Sequence, residues 1–147
     1  MQTYGNMLLR TALITLGNAS DAEDAVQDTL IKYMQKAPEF LEKEHEKAWL
    51  LKVVSNTCKD ILRFRGRHQT VNLEEIQEFS KEIQDTGILK ALMSLPEKFR
   101  VVLTLYYVEE NSIETIAKVI GRTTSAVKMR LQKGRKLLEE IYRKEYM

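Results

Sequence analysis

One cysteine, two prolines, six glycines and two histidines are all that 147 residues contain of these types. The lone cysteine, Cys58, cannot staple a fold, which suits a reducing compartment. So few prolines and glycines leave long stretches with nothing to interrupt a helix. No apolar run approaches the ~20 residues that cross a bilayer. The first residues also lack the charged-then-apolar pattern of a signal peptide, so the expected location is the cytoplasm, without membrane insertion. His45 and His68 are not at ligand spacing with Cys58, and no metal site is expected. A phosphate-cradling glycine loop and a nucleophile elbow are both missing. With no catalytic constellation and no cofactor motif, an enzyme is not expected.

What the chain does contain is helix-forming and charged. The apolar fraction is 44% and the charged fraction 30%, values of a folded globular protein rather than a disordered one. The net charge of +2 conceals an uneven distribution. Residues 1–66 hold nine basic and nine acidic side chains; residues 67–87 hold two basic and five acidic ones. Residues 88–147 hold twelve basic and seven acidic. A neutral front, an acidic middle and a basic back predict two modules, 1–66 and 88–147, joined by a linker over 67–87.

Helical periodicity runs through both modules. A first helix carrying Met7, Leu8, Leu13, Ile14 and Leu16 should stop near Gly17 and Asn18. Ser20 and Glu23 have capping-box spacing for a second helix, whose apolar positions Ala22, Val26, Leu30, Tyr33 and Ala37 end before Pro38. A long helix is expected from about Glu46 to Arg65. In the linker, at most a short helical piece around Glu74–Phe79 is expected. Beyond it, Ile88, Leu89, Leu92 and Leu95 share a helical face, and Pro96 sits where a new helix would start and run to Val108. Ser112 opens a short helix ending at Gly121, and a last helix runs from about Thr124 to Tyr142. The predicted fold class is all-α: two small helical bundles joined by a linker.

Three helical faces carry the functional argument. Between Glu114 and Glu139 there is no acidic residue, while seven are basic. Ala117, Gly121 and Val127 have the spacing of a helix-turn-helix, whose second helix enters the DNA major groove. Thr124, Ser125, Lys128, Met129 and Gln132 would then face base edges, while Arg122, Lys133 and Lys136 hold phosphates. A merely solvated stretch would include acids for local pairing, and the one between Glu114 and Glu139 has none. On the long helix, Lys52, Asn56, Lys59 and Arg63 fall in one stripe, with Trp49 and Asp60 at its edge. A basic stripe with an accessible aromatic suits a backbone and an unstacked base; a tryptophan at a stripe edge is, taken alone, more often core. On the second helix, Asp21, Asp24 and Asp28 are expected to point outward, with Gln27 to one side and Ile31 among them. The helix dipole accounts for Asp21 and Asp24 but does not reach Asp28. An apolar spot rimmed by carboxylates reads as a protein-docking surface.

The stretches SDAEDAVQDTLIKYM, KAWLLKVVSNTCKDILR and ALMSLPEKFRVVLTLYYVEENSIETIAKVIGRTTSAVKMRLQKGRKLL, in that order, resemble the extracytoplasmic-function class of bacterial RNA polymerase sigma factors. That resemblance implies a region-2-like first module and a region-4-like second one. It implies that Asp24, Gln27, Asp28 and Ile31 dock on a coiled coil of the polymerase's largest subunit, with the flap as a further contact. Trp49, Lys52, Asn56, Lys59 and Arg63, with the loop around Phe40 to His45, would recognise and help open the −10 element. The helix-turn-helix would read the −35 element, and the linker would thread near the polymerase active site. An anti-sigma protein is the implied inhibitor. Two departures stand out: the first helix is shorter than usual, implying looser packing of the first module, and Ser55 stands where members often have arginine. The competing reading is a stand-alone helix-turn-helix regulator binding an operator without polymerase, in which an exposed Asp24–Asp28–Ile31 face has no use. On the sigma reading, the two modules in isolation should bind DNA weakly, with strong salt dependence.

Overall fold

The computed structural model describes residues 2–65 and 86–146. Among the described residues seven α-helices run in chain order: α1 (Gln2–Leu16), α2 (Ala19–Lys36), α3 (Lys43–Arg65), α4 (Thr86–Met93), α5 (Glu97–Leu103), α6 (Ile113–Ile120) and α7 (Thr124–Tyr146). A single π-helical turn, Thr104–Val108, extends α5. The described residues contain no strand. The expected helical piece at Glu74–Phe79 and the expected stop at Gly66 lie outside the described residues.

Helices α1, α2 and α3 pack pairwise into the first bundle. Leu8, Ala12 and Ile14 from α1 meet Ala22 and Ala25 from α2 and Leu50, Leu51 and Val54 from α3, all fully buried. Cys58 lies in this core, and burial pushes its thiol up to about 12, so it is an apolar filler rather than a nucleophile. The last helical bond of α1 runs from the Gly17 N–H to the Leu13 carbonyl at 2.8 Å, and the positive φ of Gly17 then turns the chain out of the helix.

The start of α2 differs from the expected capping box. Asn18, not Ser20, is the N-cap: its side-chain oxygen accepts from the Asp21 N–H at 2.8 Å, and its amide donates to the Asp21 carboxylate at 3.1 Å. Asp21 is thereby folded back over the helix start and is only 2% exposed, so it does not join Asp24 and Asp28 on the outer face. The pair Asn18–Asp21 has the same spacing as Ser20–Glu23, and asparagine is at least as good a cap. Helix α3 starts at Lys43, three residues before the expected Glu46, and its amides at His45 and Glu46 both bond the Glu42 carbonyl.

In the second bundle α7 packs on α4, α5 and α6. Helix α4 begins at Thr86, inside the segment expected to be linker, and Ile88 on it is partly exposed while Leu89 and Leu92 are buried. Gly134 lets α7 approach α5: a Cβ there would stand 3.2 Å from a Leu103 methyl and 3.3 Å from the Phe99 Cβ. Gly134→Val should therefore overpack the crossing and cost about 1–3 kcal/mol. A thermal melt would read that loss, with Gly134→Ala expected to lose less.

The two bundles are not separate. Helix α6 packs along α3, and α5 and the π turn touch α1. The buried Arg100 of α5 donates to the Thr15 carbonyl in the last turn of α1 at 2.7 Å, and to Met93 and Leu95 carbonyls just past α4. Nothing in the separate periodicities of the modules announces this docking.

Candidate nucleic-acid and protein interfaces

The helix-turn-helix forms as its residues dictate. Ser112 caps α6 by accepting from the Thr115 N–H, and Gly121 ends it in the left-handed conformation at φ 69°. Thr123 caps α7 in turn, its hydroxyl accepting from the Ala126 N–H at 3.1 Å. Ile116, Ala117, Val127 and Leu131 close the inner faces against each other. Outside, Arg122, Thr124, Ser125, Lys128, Met129, Gln132, Lys133 and Lys136 are all exposed, so every sequence-assigned reader and phosphate holder faces solvent. An exposed methionine among them offers an apolar contact of the sort a thymine methyl accepts.

On α3, Leu50, Val54, Thr57 and Cys58 turn inward while Lys52, Asn56 and Arg63 are exposed and Lys59 is half-buried. At the far end of the stripe Lys59, Leu62 and Arg63 line an open cleft of about 450 Å³ with Lys98, Arg122 and Arg130. Ser55 is buried, and its hydroxyl has no hydrogen-bond partner among the described residues.

Trp49 is neither fully buried in the core nor free in solvent. It is half-buried, in edge contact with Tyr33 at 6.1 Å and with Phe40 at 6.0 Å, while Tyr33 and Phe40 stack. The Tyr33 hydroxyl donates to the Glu46 carboxylate, and that hydrogen bond pushes the phenol above its ordinary range. Tyr4 adds a bond to the Lys43 carbonyl. Three rings and one carboxylate thus pin the loop between α2 and α3 against the start of the stripe, with Leu41 left almost wholly exposed at the loop. The sequence reading missed Phe40 and Tyr33 as partners of Trp49; three aromatics flanking one short loop were the available signal.

On α2, Asp24, Gln27, Asp28 and Ile31 are exposed together, and Met34 extends the same face. Ile31 is 46% exposed, far more than a core helix allows an isoleucine.

A sequence profile of Sigma-70 region 2 matches residues 1–68, and one of Sigma-70 region 4 matches residues 86–138. The chain is 30% identical over 140 residues to the RNA polymerase sigma factor SigV of Bacillus subtilis (strain 168), covering 92% of this chain and 84% of that protein. It belongs to the sigma-70 family.

Within that family the relatives are of the extracytoplasmic-function (ECF) class. The ECF RNA polymerase sigma factor SigM of Mycobacterium tuberculosis (strain H37Rv) is 28% identical over 142 residues, 94% of this chain and 72% of that one. The fold is that of the sigma factor RpoE solved in complex with the anti-sigma factor NepR from Bartonella quintana, with a TM-score of 0.73 at 25% identity over 97% of this chain and 95% of that one. This sigma factor has no helix, among the described residues, long and apolar enough to cross a membrane.

Proposed function

We propose that the chain is the promoter-specificity subunit of a bacterial RNA polymerase, binding core through α2, the −10 element through α3 and the −35 element through α7. The observation that carries this reading is the exposed apolar-and-acid face of Asp24, Gln27, Asp28 and Ile31 on a chain that also presents two basic helix faces. A carboxylate-rimmed face repels DNA, so it serves a protein, while the stripe and the recognition helix serve the promoter.

In this account the subunit carries no chemistry of its own; the polymerase makes the bonds. Asp24 and Asp28 supply charge complementarity around Ile31 and Met34, which are desolvated on docking. Lys52, Lys59 and Arg63 follow one strand's phosphates, and Asn56 and Trp49 meet bases released from the stack. The pinned α2–α3 loop stands where a flipped base would be received. On α7, Thr124, Ser125, Lys128, Met129 and Gln132 read base edges, with Arg122, Lys133 and Lys136 on phosphates. The partners are core polymerase, promoter DNA and an anti-sigma protein, and the site of action is the cytoplasm.

Run-off transcription from a pool of randomised promoters tests it. Specific transcripts are expected only when core and chain are both added; transcripts or tight selection of one sequence by the chain without core would refute the reading. In the same assay Lys133→Ala should weaken promoter complexes uniformly across sequences and lower the slope of log affinity against log salt by about 1. Gln132→Ala should instead alter which −35 sequences are recovered.

A further inference from the structure

The cleft at the far end of the α3 stripe is one-sided in charge. Lys59 and Arg63 reach it from α3, Lys98 from α5, Arg122 from the turn after α6, and Arg130 from α7. Among the described residues lining it, Glu97 is the single carboxylate, which leaves an excess of four positive charges. A cleft walled by protein and lined by one sign of charge focuses the field and gathers counter-ions.

These cations find little compensation within the chain. Arg63 meets Asp60 at 3.8 Å, but both side chains are exposed and such a pair holds the charge weakly. Among the described residues Lys59, Lys98, Arg122 and Arg130 stand in no ion pair. Lys59 and Arg130 are nonetheless half-buried, so each has given up part of its hydration with no acid in its place. The Lys98 ammonium lies 5.1 Å from the centre of the Phe99 ring, the one compensating contact in the group. A surface that only needed to be soluble would not gather unpaired, partly desolvated cations from three elements. An anion resolves the arrangement.

The rest of the lining says what kind of anion. Val101 and Ile120 are buried and Leu62 half-buried, an apolar floor beneath the cations. Inorganic phosphate would use the rim and leave that floor unmatched. A volume of about 450 Å³ lies within the range of small-molecule sites, about 300–1,000 Å³. Arginine serves both ends of such a ligand, since its guanidinium forks onto phosphate oxygens and stacks on planar rings. Cations arriving from separate elements suit a chain of phosphates better than a single one.

We propose that this cleft binds a nucleoside polyphosphate, its phosphates on the lysines and arginines and its base against Leu62, Val101 and Ile120. The proposal does not rest on the promoter reading. Lys98 and Arg130 belong neither to the α3 stripe nor to the base-reading face of α7, so they separate this site from the DNA faces.

The test titrates GTP, inorganic triphosphate and guanosine separately into the full isotope-labelled chain, in magnesium-free buffer. Calorimetry gives the affinity and backbone amide shifts give the place. GTP should saturate with a Kd below about 1 mM, shifting the Leu62, Val101 and Ile120 amides together. Inorganic triphosphate, which lacks the base, should bind roughly tenfold more weakly, and guanosine, which lacks the phosphates, should not saturate. Lys98→Gln/Arg130→Gln, with folding checked by circular dichroism, should weaken GTP binding roughly tenfold or more. Lys128→Gln/Lys133→Gln, on the outer face of α7, should leave it within about twofold of wild type. If the first double variant does not fold, Arg130→Gln alone should weaken GTP binding by about threefold. Three results would each overturn the site: no saturation by GTP, equal affinity for GTP and inorganic triphosphate, or equal losses from the two double variants.

Discussion

Replacing Asp24 and Asp28 together with arginine is expected to abolish core-dependent initiation while leaving the fold intact. Both side chains are exposed on α2, well clear of the buried Ala22, Ala25 and Thr29. Arginine is a better helix former than aspartate, which offsets the few tenths of a kcal/mol lost where Asp24 complements the helix dipole. Across an interface, by contrast, turning two attractive pairs into like-charge contacts costs several kcal/mol. At about 1.4 kcal/mol per tenfold, core affinity should fall by roughly 100-fold or more. Competition binding against fluorescently labelled wild type measures this directly. Affinity within threefold of wild type would mean the face is not the core contact. Asp21→Asn is a useful contrast, since Asp21 is turned inward onto Asn18 and should alter the melt rather than core affinity.

Arg100→Met is expected to produce the largest loss of stability of any single change described. Its guanidinium is buried and gathers carbonyls from two helix ends: Thr15 at the close of α1, and Met93 and Leu95 beyond α4. Those ends carry the negative pole of their helices, which favours a cation there. Methionine fills a similar volume but donates nothing, so up to three carbonyls lose a buried partner at about 1–3 kcal/mol each. Partial relaxation brings the expected total to roughly 3–5 kcal/mol. For a chain of this size that is a fall in Tm of about 10 °C or more. A melt within 2–3 °C of wild type would show that the carbonyls find other donors.

How far the sequence foretold this structure depends on the range of the interaction concerned. The helix-turn-helix was legible because its determinants are local: Ser112 caps, Gly121 turns, and the absence of acids between Glu114 and Glu139 can be counted. Helix α2 was legible in period but not in its first turn, where two caps of equal spacing competed and Asn18 took Asp21 inward. The α3 stripe was legible as a stripe, yet the half-burial of Lys59 was not, because that depends on elements packed along α3. The Arg10–Glu109 and Arg100–Thr15 bonds join residues 99 and 85 positions apart. No periodicity connects them, and only the folded chain brings them together.

The central claim is that the two DNA faces work only as parts of polymerase. Its most direct measurement is a nuclease footprint on a selected promoter, with wild-type chain alone and with core added. The account predicts protection around −10 and −35 together when core is present, and none from the chain alone at the same concentration. Complete, sequence-specific protection by the chain without core would contradict it and identify a self-sufficient regulator.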